Sequence, residues 1–129
     1  MNIRTIMRVQ PWTVSGTDSL GTAEQAMLRY GIRHLPVIED GRVVGMLSER
    51  DVFAARARAQ PDVPWWRLDV RGAMSSPAQT AHPEDSLTEV AGRLAVSKVG
   101  ALPVVELGRL VGLVTVSDVL EAEVMQAMA

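Results

Sequence analysis

Apolar residues recur at helical spacing in two places along this chain and cluster in short runs between them. Leu20, Ala23, Ala26, Met27 and Tyr30 fall on one face of a helix, with Asp18 or Ser19 placed to cap its start and Gly31 its end. Leu87, Val90 and Leu94, with Ala91 beside them, predict a second helix opened by Asp85 or Ser86. After each comes a strand pattern, His34 to Glu39 and Ala101 to Glu106. A turn follows at Asp40-Gly41 or Leu107-Gly108, then a returning strand, Arg42 to Leu47 or Arg109 to Val114. Another helix is predicted from near Ser48 and from near Thr115, each with an aspartate, Asp51 or Asp118, in its first turn.

The two halves are one pattern written twice. In a single gapless register, Met7 falls on Met74, Thr13 on Thr80, and Asp18-Ser19-Leu20 on Asp85-Ser86-Leu87. Leu35-Pro36-Val37 falls on Leu102-Pro103-Val104, Glu39 on Glu106, and Gly41-Arg42 on Gly108-Arg109. Val44-Gly45 falls on Val111-Gly112 and Asp51-Val52 on Asp118-Val119. Each unit reads β–α–β–β–α, and its small sheet would leave one apolar face bare. Packing the two sheets together removes that face from water, at ~25 cal/mol per Å². The segment Ala57 to Asp69, with Pro61, Pro64, Trp65 and Trp66, is the connection.

Composition narrows the chemistry. Apolar residues make up 47% of the 129 positions but aromatics only 4%, so aliphatic side chains must fill the interior. A net charge of −2 gives no basic excess for nucleic acid. The absence of cysteine excludes disulfides, thiolate catalysis and cysteine-ligated metal, and it fits a reducing, cytoplasmic setting. No apolar stretch follows the basic start Met1 to Arg8, so no signal peptide is expected, and no run nears the ~20 residues of a membrane span. Two histidines, His34 and His82, stand at non-equivalent positions, neither in a metal-ligand spacing, and no glycine-rich phosphate loop is present. The chain is expected not to be an enzyme.

The Leu-Pro-Val strand, the Gly-Arg hairpin, and the Gly-x-x-Ser/Thr-x-x-Asp segment opening a helix, all duplicated, resemble the CBS domain pair over nearly the whole chain. The resemblance implies an α+β fold of two β-α-β-β-α CBS repeats related by a pseudo-two-fold axis, sheets packed face to face and helices outside. Repeat 1 would span residues 1–60, a linker 61–69 and repeat 2 residues 70–129. It also implies binding of an adenine nucleotide (AMP, ADP, ATP) or an S-adenosyl ligand in clefts between the repeats. Ser48 and Thr115, at helix starts, suit a phosphate. Asp51 and Asp118 suit the vicinal ribose hydroxyls. By the family's pairing rule, Thr115 and Asp118 would face Thr13, Val14, Ile32, Arg33 and His34. Ser48 and Asp51, with Arg50, would face Thr80, Ala81, Val99, Gly100 and Ala101. Arg33 and His34 favour the Asp118 cleft for a phosphorylated ligand.

Plainer readings stand beside these. The aspartates and hydroxyls can be helix caps, Arg33 and His34 solvated edge residues, Met7 and Met74 core packing, and the tryptophans a cover for the core or a partner surface. The expected function is a sensor module acting through a homodimer on an unknown regulated protein, with no required cofactor. The alternative is a ligand-free dimerising scaffold, and nucleic acid and membrane partners are disfavoured.

Overall fold

A computed structural model describes residues 1–129. In chain order it holds β1 (Arg8–Val9), α1 (Leu20–Tyr30), β2 (His34–Glu39), β3 (Arg42–Ser48), α2 (Glu49–Ala57), α3 (Val70–Ala73), α4 (Leu87–Ser97), β4 (Ala101–Glu106), β5 (Arg109–Thr115) and α5 (Val116–Ala127). Short 3-10 turns at Ile3–Thr5 and Trp65–Arg67 were not anticipated from the sequence. Ser19 caps α1 and Ser86 caps α4, each accepting from the backbone N–H three residues on. At the far ends Gly31 and Lys98 both adopt the left-handed conformation, φ 63° and 56°.

The chain forms two compact units, Trp12–Ala78 and a second made of Met1–Pro11 with Gln79–Ala129. In the first, β2 and β3 pair antiparallel from His34↔Ser48 to Glu39↔Arg42, with a register shift between Val37 and Ile38. Val14 bridges Val37 in parallel on one side, and Ser75 bridges Met46 antiparallel on the other. The second unit repeats this arrangement. There β4 pairs β5 from Ala101↔Thr115 to Glu106↔Arg109, Ala81 bridges Val104 in parallel, and β1 adds to β5 through Arg8↔Leu113.

The sequence repeats and the spatial units therefore divide the chain differently. Each sheet is completed by the segment that leads the other repeat. Ile3 is fully buried among Leu87, Val90, Leu102 and Val114, and its counterpart Val70 is fully buried among Leu20, Leu35, Leu47 and Val52. The backbone holds both in the same way: Ile3 N–H donates to the Asp85 carbonyl and Val70 N–H to the Asp18 carbonyl, at 2.9 and 2.8 Å. An apolar side chain with nothing to cover in its own repeat is removed from water in the other's core.

Candidate functional site

The duplicated helix starts are built alike. As β3 turns into α2, the Ser48 hydroxyl accepts from Asp51 N–H at 3.1 Å, and Asp51 Oδ2 accepts from Ser48 N–H at 2.8 Å. At the β5–α5 junction Thr115 Oγ1 accepts from Asp118 N–H at 3.2 Å and Asp118 Oδ2 from Thr115 N–H at 2.9 Å. These are reciprocal capping boxes with aspartate at the third helical position. The first amide of each helix is also satisfied, Glu49 N–H by the Arg33 carbonyl and Val116 N–H by the Gly100 carbonyl. The capping role is thus real for all four residues, and fewer helix-start donors stay free for a phosphate than the sequence suggested.

Each carboxylate keeps one oxygen outside its cap, and here the copies diverge. Asp51 Oδ1 accepts no protein hydrogen bond, and Asp51 is half-buried. Asp118 Oδ1 accepts from Arg8 Nε at 3.0 Å, and Asp118 is only 8% exposed. Beside it a groove of about 480 Å³ runs between the first turn and α5, lined by Thr5, Ile6, Asp118, Ala122 and Met125. The sequence reading missed Arg8. Its signal was a cation standing where the other repeat, in the same register, has neutral Ser75.

Around Asp51 lie residues of the same unit. His34 sits opposite Ser48 in the ladder, with exposed Arg33 before it and exposed Arg50 on the helix. Partial burial lowers the His34 pKa below its ordinary value; Asp51 and Glu49 pull it up and Arg33 pushes it further down. Ile32 packs against the core, Val14 is buried beside Val37, and Thr13 is exposed. Around Asp118 the second unit places Ala101 opposite Thr115, Gly100 on the first amide of α5, and Val99 against the core. Ala81 is buried in the outer bridge, and exposed Thr80 offers its carbonyl to Arg93 at 2.7 Å.

The motif glycines have a structural task. A Cβ on Gly45 would stand 2.7 Å from the Met74 sulfur and 2.7 Å from the Ser75 carbonyl oxygen; on Gly112 it would meet the Met7 sulfur at 2.7 Å and the Arg8 carbonyl at 3.0 Å. The close approach is that of the crossing leading segment, a partner inside the chain. Met7 and Met74 accordingly pack as core. Trp65 covers the first unit's core with Arg56 over its ring at 4.1 Å, while Trp66 is exposed. His82 closes a local turn, its Nδ1 accepting from Glu84 N–H at 3.0 Å. No helix is long and apolar enough to cross a membrane.

The CBS domain family model matches the chain twice, at residues 3–58 and 69–124. The inosine-5'-monophosphate dehydrogenase of Korarchaeum cryptofilum is 38% identical over 112 residues, covering 86% of this chain and 22% of that protein. The CBS domain-containing protein YhcV of Bacillus subtilis is 30% identical over 117 residues, 91% of this chain and 81% of that one. The chain thus spans only about a fifth of the dehydrogenase's length but most of YhcV. Among solved structures, the CBS domain pair of protein MJ0100, in complex with 5'-methylthioadenosine and S-adenosyl-L-methionine, superposes with a TM-score of 0.88 at 23% identity, covering 98% of each chain. CBSX2 in complex with AMP superposes with a TM-score of 0.84 at 22% identity, again covering 98% of each. At those identities the likeness establishes the fold. With two matched segments covering most of its length, the chain belongs to the CBS domain family and carries two CBS domains in tandem.

Proposed function

We propose that this chain is a regulatory module that binds an adenosine-containing ligand, an adenine nucleotide or an S-adenosyl compound, at the Ser48–Asp51 and Thr115–Asp118 helix starts. It reports occupancy to a protein partner through a homodimer. The observation that carries the reading is the duplicated carboxylate: each capping box leaves Asp51 Oδ1 and Asp118 Oδ1 outside the cap. An ionised carboxylate accepts hydrogen bonds only and has more acceptor sites than its cap uses, so the outer oxygen can take hydroxyls of a ribose. Two solved relatives in fold hold ligands of this class, AMP in one and 5'-methylthioadenosine with S-adenosyl-L-methionine in the other. Arg33 and His34, which lie beside Ser48 and Asp51, and Gly100 and Ala101, which lie beside Thr115 and Asp118, are taken into the proposal as the lining of those two sites, in place of the crossed pairing that the resemblance implied. No catalytic step is included, and the dehydrogenase activity of the longer relative is not carried over. Signalling requires unequal affinity for two assemblies, because a ligand that binds both alike shifts neither.

A second reading, a ligand-free scaffold, is favoured by the Arg8 ion pair, which already satisfies Asp118. Calorimetric titration with AMP, ATP and S-adenosylmethionine separates the two. The sensor reading expects saturable binding that Asp51→Asn and Asp118→Asn each weaken by tenfold or more, with the melting temperature followed as a control for lost capping. Silence from all three ligands at millimolar concentration leaves only the scaffold.

A further inference from the structure

We infer that Arg8 sets the ligand selectivity of the Asp118 site, making it demand an anionic adenosine ligand, while the Asp51 site makes no such demand. The inference rests on the proposed adenosine site and adds to it an asymmetry the repeat pattern conceals. In both units the leading segment runs antiparallel to the strand before the motif, with Arg8 opposite Leu113 and Ser75 opposite Met46. The same register therefore puts an arginine at this position in one unit and a short serine at the equivalent position in the other. Arg8 Nε donates to Asp118 Oδ1, and no side chain takes the corresponding place on Asp51.

The pair is lopsided. Asp118 is 8% exposed, whereas the Arg8 side chain is 62% exposed. A guanidinium so open to solvent is weakly held and can turn away. The carboxylate beneath it cannot follow, because Oδ2 is fixed in the capping box. A ribose diol approaching Asp118 must move Arg8 off the outer edge of the carboxylate. A ligand without negative charge leaves the displaced guanidinium with water alone. A ligand carrying a phosphate gives it a bidentate partner next to the helix start. At Asp51 a neutral and an anionic ligand meet no guanidinium to displace.

The test isolates each site and uses 5'-methylthioadenosine, which has no phosphate, against AMP. In an Asp51→Asn background only the Asp118 site is competent, and the amide oxygen still caps α2. There Arg8→Ser, the residue the other repeat carries, is expected to tighten 5'-methylthioadenosine by roughly threefold to tenfold. It is expected to loosen AMP by a similar factor, the size of one charge-assisted contact at a partly solvated site. The mirror change, Ser75→Arg in an Asp118→Asn background, is expected to shift the Asp51 site toward AMP. A merely structural Arg8 would move both ligands in one direction, and that result, or no movement of either, overturns the inference while leaving the site intact. Absence of binding by both ligands in the unaltered chain and in Arg8→Ser overturns the proposed site, and the inference with it.

Discussion

His34 illustrates how a single side chain ties the site to stability. It stands at the start of β2, opposite the capping serine, where partial burial and Arg33 outweigh Asp51 and Glu49 and lower its pKa from the ordinary 6.5. A base with a lowered folded pKa binds its proton first in the unfolded chain. Stability is therefore full above about pH 6.5, falls as pH drops through that value, and levels off once the folded pKa is passed, with a slope of at most about 1.4 kcal/mol per pH unit. Urea melts between pH 5 and 8 should show this slope in the parent chain and not in His34→Gln. Equal slopes would mean the imidazole is as well solvated folded as unfolded. The caps Ser48, Asp51, Thr115 and Asp118 were legible at this scale because capping chemistry is local and acts within one turn. Arg8 was not, because it reaches its partner across a distance of more than a hundred residues in sequence.

At the scale of elements, repetition lets one copy judge the other. The equivalent helices α1 and α4 each end on a left-handed residue, glycine in α1 and Lys98 in α4, with Lys98 N–H closing on the Leu94 carbonyl at 3.0 Å just as Gly31 N–H closes on Met27. A side chain at φ 56° crowds its own backbone, and glycine does not. Lys98→Gly should stabilise the chain by about 0.5–1 kcal/mol, after allowance for the greater freedom glycine has when unfolded. That corresponds to roughly 2–5 °C in melting temperature. Gly31→Ala should do the reverse, and a lower melting temperature for Lys98→Gly would show that the lysine contributes more than its strain costs. The same local logic explains why β2, β3, β4 and β5 were found almost to the residue, and why both hairpin turns take positive φ, at Asp40-Gly41 and at Leu107-Gly108. The strands run one residue further than read, to Ser48 and Thr115, because the caps are also ladder partners of His34 and Ala101. The leading segments escaped notice for the opposite reason. Their strand pairing is only one or two residues long and lies with the other repeat, so no periodicity announces it.

For the molecule as a whole, the two closing helices are equivalent in fold and unequal in charge: α2 sets Arg50 and Arg56 against Glu49 and Asp51, whereas α5 carries Asp118, Glu121 and Glu123. Along α2 an exposed Phe53 is flanked by Arg50 and Arg56, with Arg58 at the helix end. Along α5 the equivalent Leu120 is flanked by Glu121 and Glu123 and continues into Val124, and α5 carries no cation. Leu120 and Val124 are 57% and 56% exposed and Phe53 is 52% exposed, so α5 presents an apolar line and α2 a single aromatic ring with nothing over them. In the proposed homodimer, α5 against a second α5 would set glutamate against glutamate, and α2 against a second α2 would set arginine against arginine. Only α2 against the partner's α5 covers apolar surface and pairs charges together. Arg56 is partly committed to Glu24, which leaves Arg50 and Arg58 as the cations free to pair. Light scattering on the parent chain should therefore give a dimer that Leu120→Glu with Val124→Glu renders monomeric. Glu121→Arg with Glu123→Arg should weaken it about tenfold at low salt, less at high salt, where such pairs are screened. Adding Arg50→Glu and Arg58→Glu to that charge-reversed chain should restore the dimer, since every pair is then reversed on both sides. A dimer indifferent to the first reversal would place the contact elsewhere, and failure of the second to restore it would mean that like helices meet.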